Sequence, residues 1–149
     1  MHVPHAWRAS TLAVVLSLGA SPGAAMAAGS WSVSVLTDSC TTHGGQYGNG
    51  RLVHRVRGNE QAGADADHMR LRVSVQEWDG ARWVTLVSNP WSTSDRIPID
   101  GKRHQVTWGS VRWDTPDFLA GRQHRLRSTV QFLRAGKVRR SISAYGRVC

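Results

Sequence analysis

Six side chains of this chain could together hold an anion: Arg70, Arg72, Trp83, Arg125, Arg127 and Arg139. A guanidinium is flat and always charged. It meets a phosphate or carboxylate through two parallel hydrogen bonds. An exposed indole can stack on a sugar or a base, or lie against a guanidinium. These residue types bind; none of them is a general acid or base near neutral pH.

Residues for acid–base work are sparse. Cleaving a phosphodiester needs a base, an acid and an arginine on the phosphate. Glu77 with His54 or His104 is the set that could be imagined, yet Glu77 adjoins a hairpin and its spacing to either histidine follows no pattern. Residues 28–149 contain no G-x-S-x-G and no microbial ribonuclease motif. The chain is therefore expected not to be an enzyme. His43, His54, His68, His104 and His124 are scattered, with no His-x-His and no HExxH, and Asp65-x-Asp67 offers too few oxygens for calcium. No metal or cofactor is expected. The glycine-rich stretch 43–50 lacks the Lys-Ser/Thr ending of a phosphate loop and precedes no helix.

Composition gives the setting. The chain has 149 residues and a net charge of +9, with 17 arginines to two lysines. Such a surface attracts polyanions. Residues 1–27 have the layout of a secretory signal: Arg8, an apolar run from Thr11 to Gly19, then Ala25-Met26-Ala27 as a cleavage site. Residues 28–149 form one domain of a size that can bury a core. Removing Arg8 with the signal takes the charge from +9 to +8. The two cysteines, Cys40 and Cys149, both lie in that domain. In an oxidising compartment an isolated pair reads as one disulfide, worth roughly 4–5 kcal/mol on the chain-entropy model.

The elements that would carry the arginines follow a period of two. Trp31–Val35 alternates, and the strand is expected to end near Asp38. In Arg51–Arg57, Leu52, His54 and Val56 share the inward parity. In 67–78, Met69, Leu71, Val73 and Val75 face one way and Arg70, Arg72, Ser74 and Gln76 the other. Asp79-Gly80 predicts a two-residue hairpin that pairs Val75 with Val84 and Val73 with Leu86. Asn59–Ala66 reads as a polar loop and Ile97–Ile99 as an edge-like piece. A strand is expected from His104 to about Trp113, with Gly109-Ser110 as a bulge. In 118–133, Leu126, Ser128, Val130 and Phe132 face inward while Arg125, Arg127, Thr129 and Gln131 face outward. A hairpin at 134–137 leads to the last strand, 138–145. About seven short strands without a helix predict an all-β fold, a single antiparallel sandwich or barrel.

The stretch Phe118-x-x-Gly121-x-x-His124-x-Leu126-x-Ser128-x-Val130 resembles the turn-and-strand corner of fibronectin type III and related immunoglobulin-like domains. His124 stands where that corner has a tyrosine, and Ala120 where proline is frequent. The resemblance implies a β-sandwich with Phe118, Gly121 and His124 as its structural corner. It also implies that the ends of the first and last strands share a pole, which would bring Cys40 to Cys149. The strands at 68–78, 82–88, 122–133 and 137–146 would then share one sheet and gather the arginines with Trp83.

The functional expectation is a secreted, cationic, non-catalytic binding module whose arginine-rich sheet face takes a polyanion or glycan of the cell surface or surroundings. One alternative is an extracellular inhibitor or protein-partner module acting through loops at 59–66, 89–95 and 134–137. The other is a small nuclease-type hydrolase.

Overall fold

The computed structural model describes residues 31–42, 50–61, 65–115 and 122–149. The signal-like segment, Phe118 and Gly121 lie outside these residues. Among the described residues there is no helix, and nine strands form two antiparallel sheets.

The first sheet holds β1 (Trp31–Thr42), β2 (Gly50–Glu60), β6 (His104–Thr107) and β7 (Val111–Thr115). β2 is central: β1 pairs on one side, and β6 and β7 follow each other along the other. The second sheet runs β4 (Trp83–Ser88), β3 (His68–Trp78), β8 (His124–Arg134), β9 (Lys137–Tyr145), and the short β5 (Ser92–Thr93) adds to β3. The four strands expected to share a sheet do so.

Period-two patterning builds the core. Leu52 and Val56 from β2 meet Met69, Leu71, Val73 and Val75 from β3 and Leu126, Val130 and Phe132 from β8 in one buried cluster. The sheets therefore pack face to face as a sandwich. Trp31 lies 5.8 Å from Phe132, ring to ring. Trp31, Val106 and Trp108 are partly buried against the same cluster. Gly58 allows the closest approach: a Cβ there would come within 2.7 Å of the Met69 sulfur.

His54 is the buried, hydrogen-bonded histidine that its parity implied. Its Nδ1 lies 2.7 Å from Ser128 Oγ, so one polar bond joins the two sheets inside the core. Burial lowers its pKa from the usual value, partly opposed by the Asp38 carboxylate.

Cys40 and Cys149 form the disulfide, with Cα atoms 5.9 Å apart. It ties edge strand β1 to the segment after β9. That segment adds to β8 through two bonds, His124 N to Cys149 O at 2.7 Å and Cys149 N to His124 O at 2.8 Å. The first strand does not stop at Asp38 but runs on to Thr42. A bulge between Val35 and Thr37 inserts Leu36. One extra residue flips the parity, so Trp31 and Val33 face the core before it and Cys40 after it.

Four local expectations are corrected. The 79–82 connection is a four-residue loop, with Trp78 opposite Trp83 and Glu77 opposite Val84. Asp79 Oδ1 accepts from the backbone N–H of Ala81 and Arg82 at 2.9 and 2.8 Å, which favours the longer turn. The slip is two residues, so Trp83, Val84 and Thr85 keep their expected faces. A bulge then brings Val87, not Val84, opposite Val75. Second, β2 extends through Glu60, which is buried and accepts from Ala66 N at 3.0 Å. Third, residues 97–99 form no strand; Ile97 is buried and its N–H bonds to Asp67 O. Fourth, the strand expected over 104–113 is two strands, interrupted at 108–110.

Candidate functional site: an arginine–aromatic sheet face

The outward parity of β3 and β8 places Arg70, Arg72, Arg125 and Arg127 on one face of the second sheet. Register sets their pattern. Arg70 is opposite Gln131, Arg72 opposite Thr129, Ser74 opposite Arg127 and Gln76 opposite Arg125. The arginines therefore never face each other directly, and a neutral polar residue separates each from the next strand's charge. This pairing avoids the cost of like charges directly opposite.

Each Nε but one is tied down within the sheet. Arg70 Nε donates to Gln131 Oε1 at 2.8 Å and Arg125 Nε to Gln76 Oε1 at 2.9 Å. Arg127 Nε donates to Ser143 Oγ at 3.1 Å. Arg72 Nε is buried without a hydrogen-bond partner.

Aromatic rings hold the guanidinium planes. The guanidinium carbons of Arg70 and Arg72 lie 4.6 and 4.4 Å from the Trp91 ring centroid. Arg125 lies 4.1 Å from Trp83 and 4.3 Å from Tyr145. Arg127 is 5.9 Å from Tyr145. Trp83 also meets Trp78, ring centroids 5.6 Å apart. Burial lowers the Arg125 pKa from its ordinary value, and neighbouring Arg127 adds to this while Tyr145 opposes it. The group stays charged at neutral pH.

The strand residues facing outward on this sheet include no aspartate or glutamate among the described residues. Polar neutral side chains fill the rest: Ser74, Gln76, Thr85, Thr129, Gln131, Ser141 and Ser143. Four guanidiniums thus lie close together with no counter-ion among the described residues of this face.

Five of the six residues singled out from sequence meet here: Arg70, Arg72, Trp83, Arg125 and Arg127. Arg139 shares the outward parity of Ser141 and Ser143 on β9 and is exposed, but it joins neither aromatic stack. It lies beside the irregularity between Phe132 and Leu133. Sequence reasoning missed Trp91 and Tyr145. Tyr145 had a signal, since it alternates with Ser143 and falls opposite Arg127. Trp91 follows Pro90 outside any strand, and no periodicity aims it.

The other candidate chemistry is placed elsewhere. Glu77 meets neither His54 nor His104. Its Oε2 lies 2.9 Å from His124 Nε2, and its Oε1 accepts from Arg122 Nη1 at 2.7 Å. His124, expected at a corner, is buried with its ring 5.6 Å from that of Trp113. His104 Nε2 lies 2.7 Å from Asp100 Oδ1. The buried hydroxyl–imidazole pair of Ser128 and His54 is sealed in the core, each 1% exposed. Among the described residues no cluster of three or more His, Cys, Asp or Glu could hold a metal ion. No helix there is long and apolar enough to cross a membrane.

No known protein-family model matches the chain, and no curated protein matches its sequence.

Proposed function

We propose that the outer face of the second sheet binds an anionic polymer, including acidic glycans, and that the protein is a non-catalytic binding module. The observation that carries this reading is the set of four ordered guanidiniums with no carboxylate among the described residues of their face. Anchoring three of the four Nε groups and stacking the planes removes side-chain freedom before any ligand arrives. Less entropy is then lost on binding. Mutual repulsion among the four is relieved when an anion docks.

The stacking also separates two kinds of ligand. Trp83 lies against Arg125, and Trp91 lies against Arg70 and Arg72, so these indoles offer less open face to a neutral sugar. The guanidinium edges favour oxyanions. We further propose that the chain is exported, as its signal-like start and its disulfide together suggest. The strand order, with a three-position sheet against a four-position one, supports an immunoglobulin- or fibronectin-like kinship at the level of fold.

The test compares two polymers of matched length, labelled inorganic polyphosphate and labelled neutral dextran, by fluorescence anisotropy. Binding to polyphosphate and not to dextran is the expected result. Equal binding to both would overturn the oxyanion reading.

A further inference from the structure

The first sheet carries a second arginine set, on the opposite side of the molecule. β2 points Arg51, Arg55 and Arg57 outward, and β7 points Arg112 the same way, opposite Val53. The anchoring scheme repeats. Arg55 Nε donates to Trp108 O and Arg57 Nε to Thr107 Oγ1, both at 3.1 Å. Arg51 and Arg112 share one carboxylate, each with Nε 2.8 Å from an Asp114 oxygen. These two hydrogen bonds, Arg51's the larger influence, hold the Asp114 carboxyl below its usual range. Among the described residues of this face, four arginines thus stand against one carboxylate. The neighbouring outward positions on β1 are Ser32, Ser34, Thr37, Ser39 and Thr41, none of them charged.

The two sets cannot easily serve one ligand. Packed sheets stand ~10 Å apart, and an arginine side chain reaches outward on each side, so the charge layers are separated by well over the ~8 Å Debye length of physiological salt. A second anionic strand on the far face is therefore screened from the first.

We propose that the domain is a two-faced cross-linker that joins two strands of a polymer bearing repeated tetrahedral oxyanions, phosphate or sulfate, one strand on each sheet. This rests on the reading of the second sheet's face given above and adds the first sheet as an independent site. A one-faced module coats a polymer; a two-faced one gathers chains.

The experiment mixes the protein with donor-labelled and acceptor-labelled polymer and reads energy transfer between them. One arm uses inorganic polyphosphate and the other dextran sulfate, and the arm with the stronger transfer identifies the oxyanion. Three forms are compared: wild type, R55Q/R57Q on the first sheet, and R125Q/R127Q on the second. Wild type is expected to bind two strands and give transfer. Each variant is expected to bind one strand, measured by anisotropy, and to lose transfer. Far-ultraviolet circular dichroism confirms that each variant folds. Full transfer in R55Q/R57Q would overturn the cross-linking proposal, since bridging would then not use the first sheet. Wild type that binds a single strand without transfer would overturn it too, while leaving the second-sheet site standing. Absence of any binding in either arm would overturn both.

Discussion

The guanidinium carbon of Arg125 lies 4.1 Å from the ring centroid of Trp83. β4 supplies the ring and β8 the cation, with β3 between them. Gln76 on that middle strand accepts the Arg125 Nε–H, so one side chain links three strands. The contact orders a charge near the His124 end of the face.

Removing the ring should therefore loosen the charge without removing it. Trp83→Leu removes a cation–π interaction worth ~0.5–1 kcal/mol at an exposed site, which corresponds to about two- to fivefold weaker polyphosphate binding. Anisotropy titration measures this. An unchanged affinity would mean that the stack plays no part in ordering Arg125.

His54 makes stability depend on pH. Its folded pKa lies below the ordinary 6.5 because burial disfavours the charged ring. Above that value the ring is neutral in both states, and its contribution is fully present. As pH falls through 6.5 the unfolded chain takes up a proton that the folded chain refuses, and stability drops. The slope from this group is at most about 1.4 kcal/mol per pH unit, down to the folded pKa. Urea unfolding at pH 7.5 and pH 5 should show a larger loss for wild type than for His54→Gln, which can still reach Ser128. Equal losses would contradict a buried neutral His54.

Gly58 should not tolerate a side chain. A Cβ would press on the Met69 sulfur at 2.7 Å and on Val130 Cγ1 at 3.3 Å. Overpacking of this kind costs about 1–3 kcal/mol. Gly58→Ala should lower the urea midpoint with little change in the slope of the unfolding curve. A midpoint equal to wild type would show that the sheets can separate locally without cost.

The disulfide should matter most to stability. Cys40→Ser with Cys149→Ser removes a constraint across 109 residues of sequence, with an expected loss of about 2–5 kcal/mol. Thermal unfolding of the double variant and of wild type under oxidising conditions measures it. Equal stabilities would imply that hydrogen bonds, those of Cys149 with His124 and of Arg147 N with Asp38 among them, suffice to fix the C-terminal segment.

The second sheet's face was legible because alternation along a strand is local. Arg70 and Arg72 share a parity within β3, and Arg125 and Arg127 within β8, so no long-range knowledge was needed to point them outward. Even the wrong hairpin register left Trp83 on its proper face, because the slip was even. Features set by tertiary structure could not be read this way. Nothing near Glu77 in sequence announces His124 or Arg122, which reach it across a strand pair. Leu36 gives no sign that it is the extra residue that turns Cys40 inward. Trp91 finds Arg70 and Arg72 from an irregular segment, where periodicity says nothing.

The central claim, that the arginines of β3 and β8 bind anionic polymer, is tested most directly by salt. A labelled single-stranded oligonucleotide serves as a phosphate chain, and its affinity is measured across a range of salt concentrations. Each neutralised phosphate contributes about −0.7 to the slope of log K against log salt. Replacing Arg70, Arg72, Arg125 and Arg127 by glutamine should therefore make the slope shallower by about 0.7 for every phosphate that is no longer neutralised. A slope that is the same in wild type and the fourfold variant, or binding indifferent to salt, would contradict the account.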